Sequence, residues 1–204
     1  MRALQAIHSV VVGYRTNRTA AEALSAETLA VNLPEDFDPG EVDLIVHAVG
    51  PEVPQRWISG TTGAEWEEAM GEVRALEATL RCGLPALRRS RGALVVLSSA
   101  GVRRHPAQDV LSTAPKAAME AMVRAVAKEE ARFGVRANSV GVGVIDAGMF
   151  RRIDFPEGWQ ERALASIPLA RFGRAEEVGQ AVAYLANAPY VTGHCLVVDG
   201  GWSL

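Results

Sequence analysis

A chain of 204 residues, 49% hydrophobic and 22% charged, holds enough apolar side chains for one sizeable core and is short for two, so a single domain over residues 1–204 is expected. A net charge of −3 with a pI near 5.8 excludes the basic footprint that nucleic acid or an anionic lipid surface requires. Cys82 and Cys195 stand far apart without CxxC or Cys/His spacing, which reads as two free thiols in a reducing compartment and as no metal site.

The chain opens with Arg2 and scattered apolar residues, but Gln5 and His8 interrupt them and no small-residue cleavage site follows. This stretch reads as part of the fold of a cytoplasmic protein. No apolar run approaches the roughly 18 residues of a membrane span. β-Branched runs follow at 9–13, 28–33, 42–49, 93–98, 136–145 and 195–198, and helical periodicity appears at 19–24, 65–84, 116–133 and 175–185. Strands alternating with helices predict a doubly wound α/β fold, a parallel sheet with helices on both faces. The unbroken apolar runs Leu44-Ile45-Val46 and Leu94-Val95-Val96-Leu97 suit strands buried on both sides.

Between the second and third strands, Pro34-Glu35-Asp36-Phe37-Asp38-Pro39-Gly40 leaves no room for a crossover helix, which takes about a dozen residues. The connection there is unusual, or a strand is lost. Pro85 and Gly134 read as helix stops. The charged and aromatic segment 154–168 suits a substrate-side loop or lid. Trp57, Phe150, Phe155 and Trp159 either line an apolar pocket or pack among themselves.

Chemistry concentrates in residues 98–116: Ser98-Ser99-Ala100-Gly101, a polar loop with His105 and Asp109, then Ser112-Thr113-Ala114-Pro115-Lys116 opening an Ala-rich helix. This stretch resembles the active site of the short-chain dehydrogenases/reductases. The stretch Ile167-Pro168-Leu169-Ala170-Arg171-Phe172-Gly173-Arg174, then Val191-Thr192-Gly193 and Val197-Val198-Asp199-Gly200-Gly201-Trp202, resembles the last helix and strand of that family. His47-Ala48-Val49-Gly50 stands where the family has its Asn-Asn-Ala-Gly turn, and Val135-Arg136-Ala137-Asn138-Ser139-Val140 matches its sixth strand.

The resemblance implies a Rossmann-like fold and NADP(H) as cofactor, with Arg15 at the 2'-phosphate and Gly50, Lys116 and Gly143 along the dinucleotide. It also implies that this chain lacks the family's first strand, since Val10-Val11-Val12-Gly13-Tyr14-Arg15 resembles the second and no GxxxGxG or GxGxxG occurs. That glycine turn is what lets backbone approach a pyrophosphate at a helix N-terminus.

Its catalytic set is altered here. The family's tyrosine, four residues before the lysine, is Ser112, whose aliphatic hydroxyl is far less acidic than a phenol of pKa near 10. Ser112 also suits a helix N-cap. The carbonyl-orienting serine is Ser98, three residues before Gly101, or Ser99, thirteen before Ser112, with Ser98 favoured. The family's helix asparagine falls at Glu72 or Val73, its Pro-Gly at Val142-Gly143, and the threonine after Ile-Asp at Ala147. Lys116 is either the family's ribose-binding lysine or a solvated lysine in a first turn. His105 and Asp109 are candidate replacement acids or bases.

Two functional expectations follow. One is a family member without ordinary carbonyl reduction, either a degenerate subunit of a reductase assembly or an enzyme of redox-neutral chemistry such as dehydration or cyclisation. The other is an NADP(H)-dependent oxidoreductase with Arg15 on the phosphate, Ser98 on the substrate, and water or His105 supplying the proton. The partner expected is a second copy or a related full-length subunit, joined through helices 65–84 and 116–133, where Ala117, Ala118, Ala121 and Ala125 permit close approach. The substrate is a small molecule that no residue names.

Overall fold

Six strands, every pairing among them parallel, are laid out in the computed structural model, which describes residues 9–14, 18–24, 27–31, 35–152 and 155–204. β1 (Val11–Tyr14) pairs with β2 (Glu27–Ala30) across a short helix, α1 (Arg18–Glu22). A four-stranded sheet holds β3 (Leu44–His47), β4 (Ala93–Ser99), β5 (Arg136–Val142) and β6 (Cys195–Val198), neighbours in chain order. Residues 35–43, the described part of the connection, contain no helix, and β2 and β3 belong to different sheets among the described residues.

The four-stranded sheet is covered on both faces. α2 (Gly63–Ser90) and α4 (Val110–Glu129) lie on one side, and α6 (Ala175–Asn187) on the other. Alternation along β4 divides the core. Leu94 and Val96 join Leu76, Leu87, Met119 and Val123, while Val95 joins Val140, Val182 and Leu185. A strand buried on both faces reads as a continuous apolar run, as β4 does.

Helix boundaries correct three expectations. α2 starts where Thr62 and Glu65 form a capping box, the Thr62 hydroxyl accepting from Glu65 N–H and the Glu65 carboxylate accepting from Thr62 N–H. It does not stop at Pro85. The proline forfeits one backbone bond, but buried Ala86 and Leu87 carry the helix on to Ser90, and Arg91 ends it at φ 55°. α4 starts at Val110, with Asp109 in the N-cap position, so Ser112 is the third helical residue and not the cap. Lys116 lies in the second turn, and Phe133 belongs to a separate 3-10 turn ended by Gly134 at φ 81°.

The 148–168 region carries a 3-10 turn (Gly148–Arg152) and α5 (Trp159–Ala165). Phe155 stacks on Trp159 with centroids 3.9 Å apart, and Phe150 lies 5.0 Å from both Phe155 and Phe172. These aromatics pack against one another, whereas Trp57 is 62% exposed. No described helix is long and apolar enough to cross a membrane.

Candidate functional site

Parallel strands present their C-terminal ends on one edge, and the helices that follow them begin there, so the turns after β3 and β4 gather polar groups at a common rim. Two clusters form. The first joins the turn after β3 to α2 and α4. Lys116 Nζ lies 2.6 Å from Glu72 Oε2, with the Lys116 side chain 17% exposed and that of Glu72 4%. Lys116 is therefore a partly buried, paired ammonium and not a solvated lysine of the first turn.

Gly50 lies directly over this pair: a Cβ built there would stand 2.9 Å from Glu72 Oε2 and 3.3 Å from Lys116 Nζ. Only glycine brings backbone this close. Burial raises the Glu72 carboxyl above the usual range, and the charge of Lys116 opposes that rise. His47, at the end of β3, is buried and places Nδ1 3.0 Å from Thr79 Oγ1. Burial first, then the nearby charge of Lys116, lowers its imidazole to about 4.

The second cluster surrounds Gly101, at the start of α3 (Gly101–Arg104). A Cβ there would meet Thr113 Cγ2 at 2.9 Å, Ser99 Oγ at 3.0 Å and Asp109 Oδ2 at 3.1 Å, so these three groups converge on one point. Ser99 Oγ accepts from Gly101 N–H. Burial pushes the Asp109 carboxyl up to about 6. Such a group changes protonation near neutral pH.

Ser98 sits elsewhere. Consecutive residues of a strand face opposite sides, and Ser98 takes the α4 side, where it is buried and donates to Glu120 Oε1 at 2.8 Å. Glu120 also receives Arg103, at 3.2 and 3.3 Å, and the Cys195 thiol at 3.4 Å. Of the two serines the sequence leaves open, Ser98 is bonded to Glu120, and Ser99 places its hydroxyl in the cluster at Gly101.

Ser112 lies one helical turn before Lys116, on the same face of α4. His105 ends α3 at φ 52° with its side chain exposed. Gly143 donates to Val198 O, and a Cβ on it would fall 2.6 Å from Asp199 Cα, so close backbone packing accounts for this glycine. Arg15 and Asp154 lie outside the described residues. No cluster of three or more potential metal ligands occurs among the described residues.

Three of the groups the resemblance implies for the nicotinamide end have the following surroundings. Lys116 is paired with Glu72, Ser112 stands where the resemblance implies a tyrosine, and Gly143 packs on Asp199. The sequence marked His47 and Glu72 only as positions where the family has asparagines, and nothing in it paired Glu72 with Lys116 or His47 with Thr79; the one further signal was that Glu72 and Thr79, seven residues apart, share a face of α2.

Residues 7–203 match a family model described as enoyl-(acyl carrier protein) reductase. The chain is 34% identical to a 3-oxoacyl-[acyl-carrier-protein] reductase of Bos taurus over 167 residues, which is 81% of this chain and 68% of that protein. It is 41% identical over 114 residues to carbonyl reductase family member 4 of Danio rerio, and 39% identical over 115 residues to an acetoacetyl-CoA reductase of Synechocystis. The match spans about half the length of each of these two, 46% and 47%. Among solved structures, the TT0495 protein of Thermus thermophilus superposes with a TM-score of 0.85 at 25% identity, covering 98% of this chain and 92% of that one. A protein titled as a short chain dehydrogenase/reductase family member gives a TM-score of 0.83 at 24% identity, with 99% and 91% covered, a likeness of fold.

Proposed function

The chain belongs to the short-chain dehydrogenase/reductase family, and from that premise we propose that it is a member without the ordinary carbonyl reduction its relatives are named for. It acts as a degenerate subunit of a reductase assembly or in redox-neutral acid–base chemistry on a small molecule. The observation that carries this reading is the 2.6 Å contact between Lys116 and Glu72 with Ser112 one turn before it. Carbonyl reduction needs a hydride, which a nicotinamide supplies when bound, and a proton from an acidic donor. A serine hydroxyl is a far weaker acid than a phenol. Lys116, which would hold the ribose and acidify the phenol, is neutralised by a carboxylate instead.

The test is NADPH consumption with acetoacetyl-CoA, alongside calorimetry with NADPH and NADH on the wild type and Arg15→Ala. No turnover above the protein-free control is expected. Turnover together with NADPH binding that Arg15→Ala weakens would overturn the reading.

The second reading is an NADP(H)-dependent oxidoreductase with a changed proton relay. It is favoured by Asp109, whose carboxyl burial pushes up to about 6 and whose Oδ2 converges with Ser99 Oγ on Gly101. It requires a turnover that falls as pH rises above that value and disappears in Asp109→Asn.

We also propose assembly through the α2 and α4 face. Ala117, Ala121 and Ala125 are exposed at four-residue spacing on α4, a stripe that permits close helix approach. Light scattering that gives the mass of one chain at micromolar concentration would contradict it. A cytoplasmic setting is part of the same proposal.

A further inference from the structure

A cationic surface stands at the rim opposite the candidate site. Ser98 and Ser99 end β4, whereas Arg91 comes two residues before β4 begins and Gly134 two residues before β5 begins. There the end of α2 meets the turn that follows α4. Arg88 donates to both oxygens of buried Glu130, at 2.6 and 2.7 Å, and its guanidinium lies 4.6 Å from the centre of the Phe133 ring. The Arg132 guanidinium lies 4.7 Å from the same ring, and Phe133 itself is exposed. Arg91 joins the group along its stem. A Cβ built on Gly134 would stand 3.2 Å from both Cβ and Cγ of Arg91, so the glycine, at φ 81°, is what lets that side chain lie there.

One carboxylate answers three guanidinium groups. The Arg88 hydrogen bonds hold the Glu130 carboxyl below its usual range, and the charge of Arg132 adds to that, so Glu130 is ionised and the group keeps two positive charges. Both Glu130 oxygens are taken by Arg88. Among the described residues, neither Arg91 nor Arg132 forms an ion pair of its own, and both are exposed. Packing explains Arg88, but collecting two further cations around it adds self-repulsion and nothing to the fold. The excess stands on a chain whose net charge is −3.

We propose that this surface docks a short acidic segment of a partner protein, whose carboxylates meet Arg91 and Arg132 while an apolar side chain covers Phe133. Arginine pairs with carboxylates through a planar fork, and arginines beside aromatic rings are the side chains that carry most binding energy at interfaces. Arg88 and Phe133 are already held in place by Glu130 and by each other, so little side-chain freedom is lost on docking. The neighbourhood limits the length of the ligand. Ser90 Oγ donates to Val42 O and Ala93 N–H to Asp43 O, so the acidic residues Glu41 and Asp43 border the patch. A long polyanion or an anionic bilayer would lie across those carboxylates, and a short acidic segment need not. Docking at this rim leaves the candidate site open, so the inference does not depend on which reaction that site performs.

The experiment is a titration of the full chain followed through its arginine Nε–H groups by nitrogen-15 NMR. The probe is a peptide of glutamates around one phenylalanine, with the same peptide in glutamines as control and phosphatidylserine vesicles as a separate titrant. Saturable shifts are expected at Arg88, Arg91 and Arg132 and not at Arg151 or Arg171, which are paired with Asp146 and Glu177. They should weaken as salt rises. Arg91→Gln and Arg132→Gln should each weaken the peptide about tenfold, the worth of one charge-assisted contact, while Arg151→Gln should leave it unchanged. No shift, equal shifts at Arg151 and Arg171, equal binding of the glutamine peptide, or vesicles acting on the three arginines more strongly than the peptide would overturn the proposal. Should either variant fail to fold, the wild-type map of shifted arginines decides.

Discussion

Glu72 and Lys116, 44 positions apart, meet at 2.6 Å because α2 and α4 pack side by side on one face of the sheet. Glu72 is the more deeply buried of the two, and burial works against its charged form. Glu72→Gln would leave the ammonium in a partly buried place without a counter-charge, and breaking such a pair costs about 3–5 kcal/mol. Urea unfolding should show that loss. Adding Lys116→Met should recover much of it, and a double variant no more stable than Glu72→Gln would contradict the pairing.

Asp109 sets a pH dependence of opposite sign to that of an ordinary paired carboxylate. Its folded carboxyl holds a proton up to about 6, against 3.8 for the free group, so the fold binds more protons than the unfolded chain across that interval. Stability falls as pH rises through it. Asp109→Asn removes the penalty and should stabilise the protein at neutral pH by roughly 1–2 kcal/mol after solvent screening, with no gain in strong acid. Paired thermal melts at the two pH values measure this.

His47 acts in the other direction. Its imidazole is held at about 4, against 6.5 when free, so protons bind preferentially to the unfolded chain between those values. The stability this neutral ring allows is complete above 6.5 and is lost as pH falls toward 4. His47→Gln should flatten that part of the stability curve. An unaltered slope between the two pKa values would show the ring to be solvated.

Ser98 and Ser99 are adjacent but should fail differently. Ser98→Ala strips a hydrogen bond from buried Glu120 and should cost about 1–2 kcal/mol in denaturant unfolding. Ser99→Ala removes a half-buried hydroxyl beside Asp109, with a smaller cost, and should shift the Asp109 titration seen by carbon-13 NMR. A shift of that titration in Ser98→Ala and none in Ser99→Ala would reverse the assignment.

Gly143→Ala tests the backbone account of that glycine. The new methyl would fall 2.6 Å from Asp199 Cα, where no flexible side chain can yield. Overpacking of this kind costs about 1–3 kcal/mol, and here the ends of β5 and β6 must part. An alanine variant as stable as the wild type, by the same denaturant measurement, would show that the strand ends relax freely.

By itself the sequence determined the alternation of strands and helices, the buried β4 run Leu94-Val95-Val96, and the family. These are local patterns, legible because side-chain direction repeats every two residues in a strand and every 3.6 in a helix. The Pro85 stop failed for the same reason: a proline weakens one helical bond locally, and only the burial of Ala86 and Leu87 against the core shows that packing outweighs it. Asp109 takes the N-cap position, three residues before Ser112, because α4 begins at Val110, six residues before the periodic stretch that opens at Lys116.

Tertiary structure alone decided what each polar group faces. Alternation says that Ser98 and Ser99 point apart but not which one meets Glu120, because that depends on which face of β4 receives α4. Glu72 was legible only as a residue that is not asparagine. Its charge became the partner of Lys116 when two helices distant in sequence were laid against the same sheet, and short-range periodicity carries no information about that meeting.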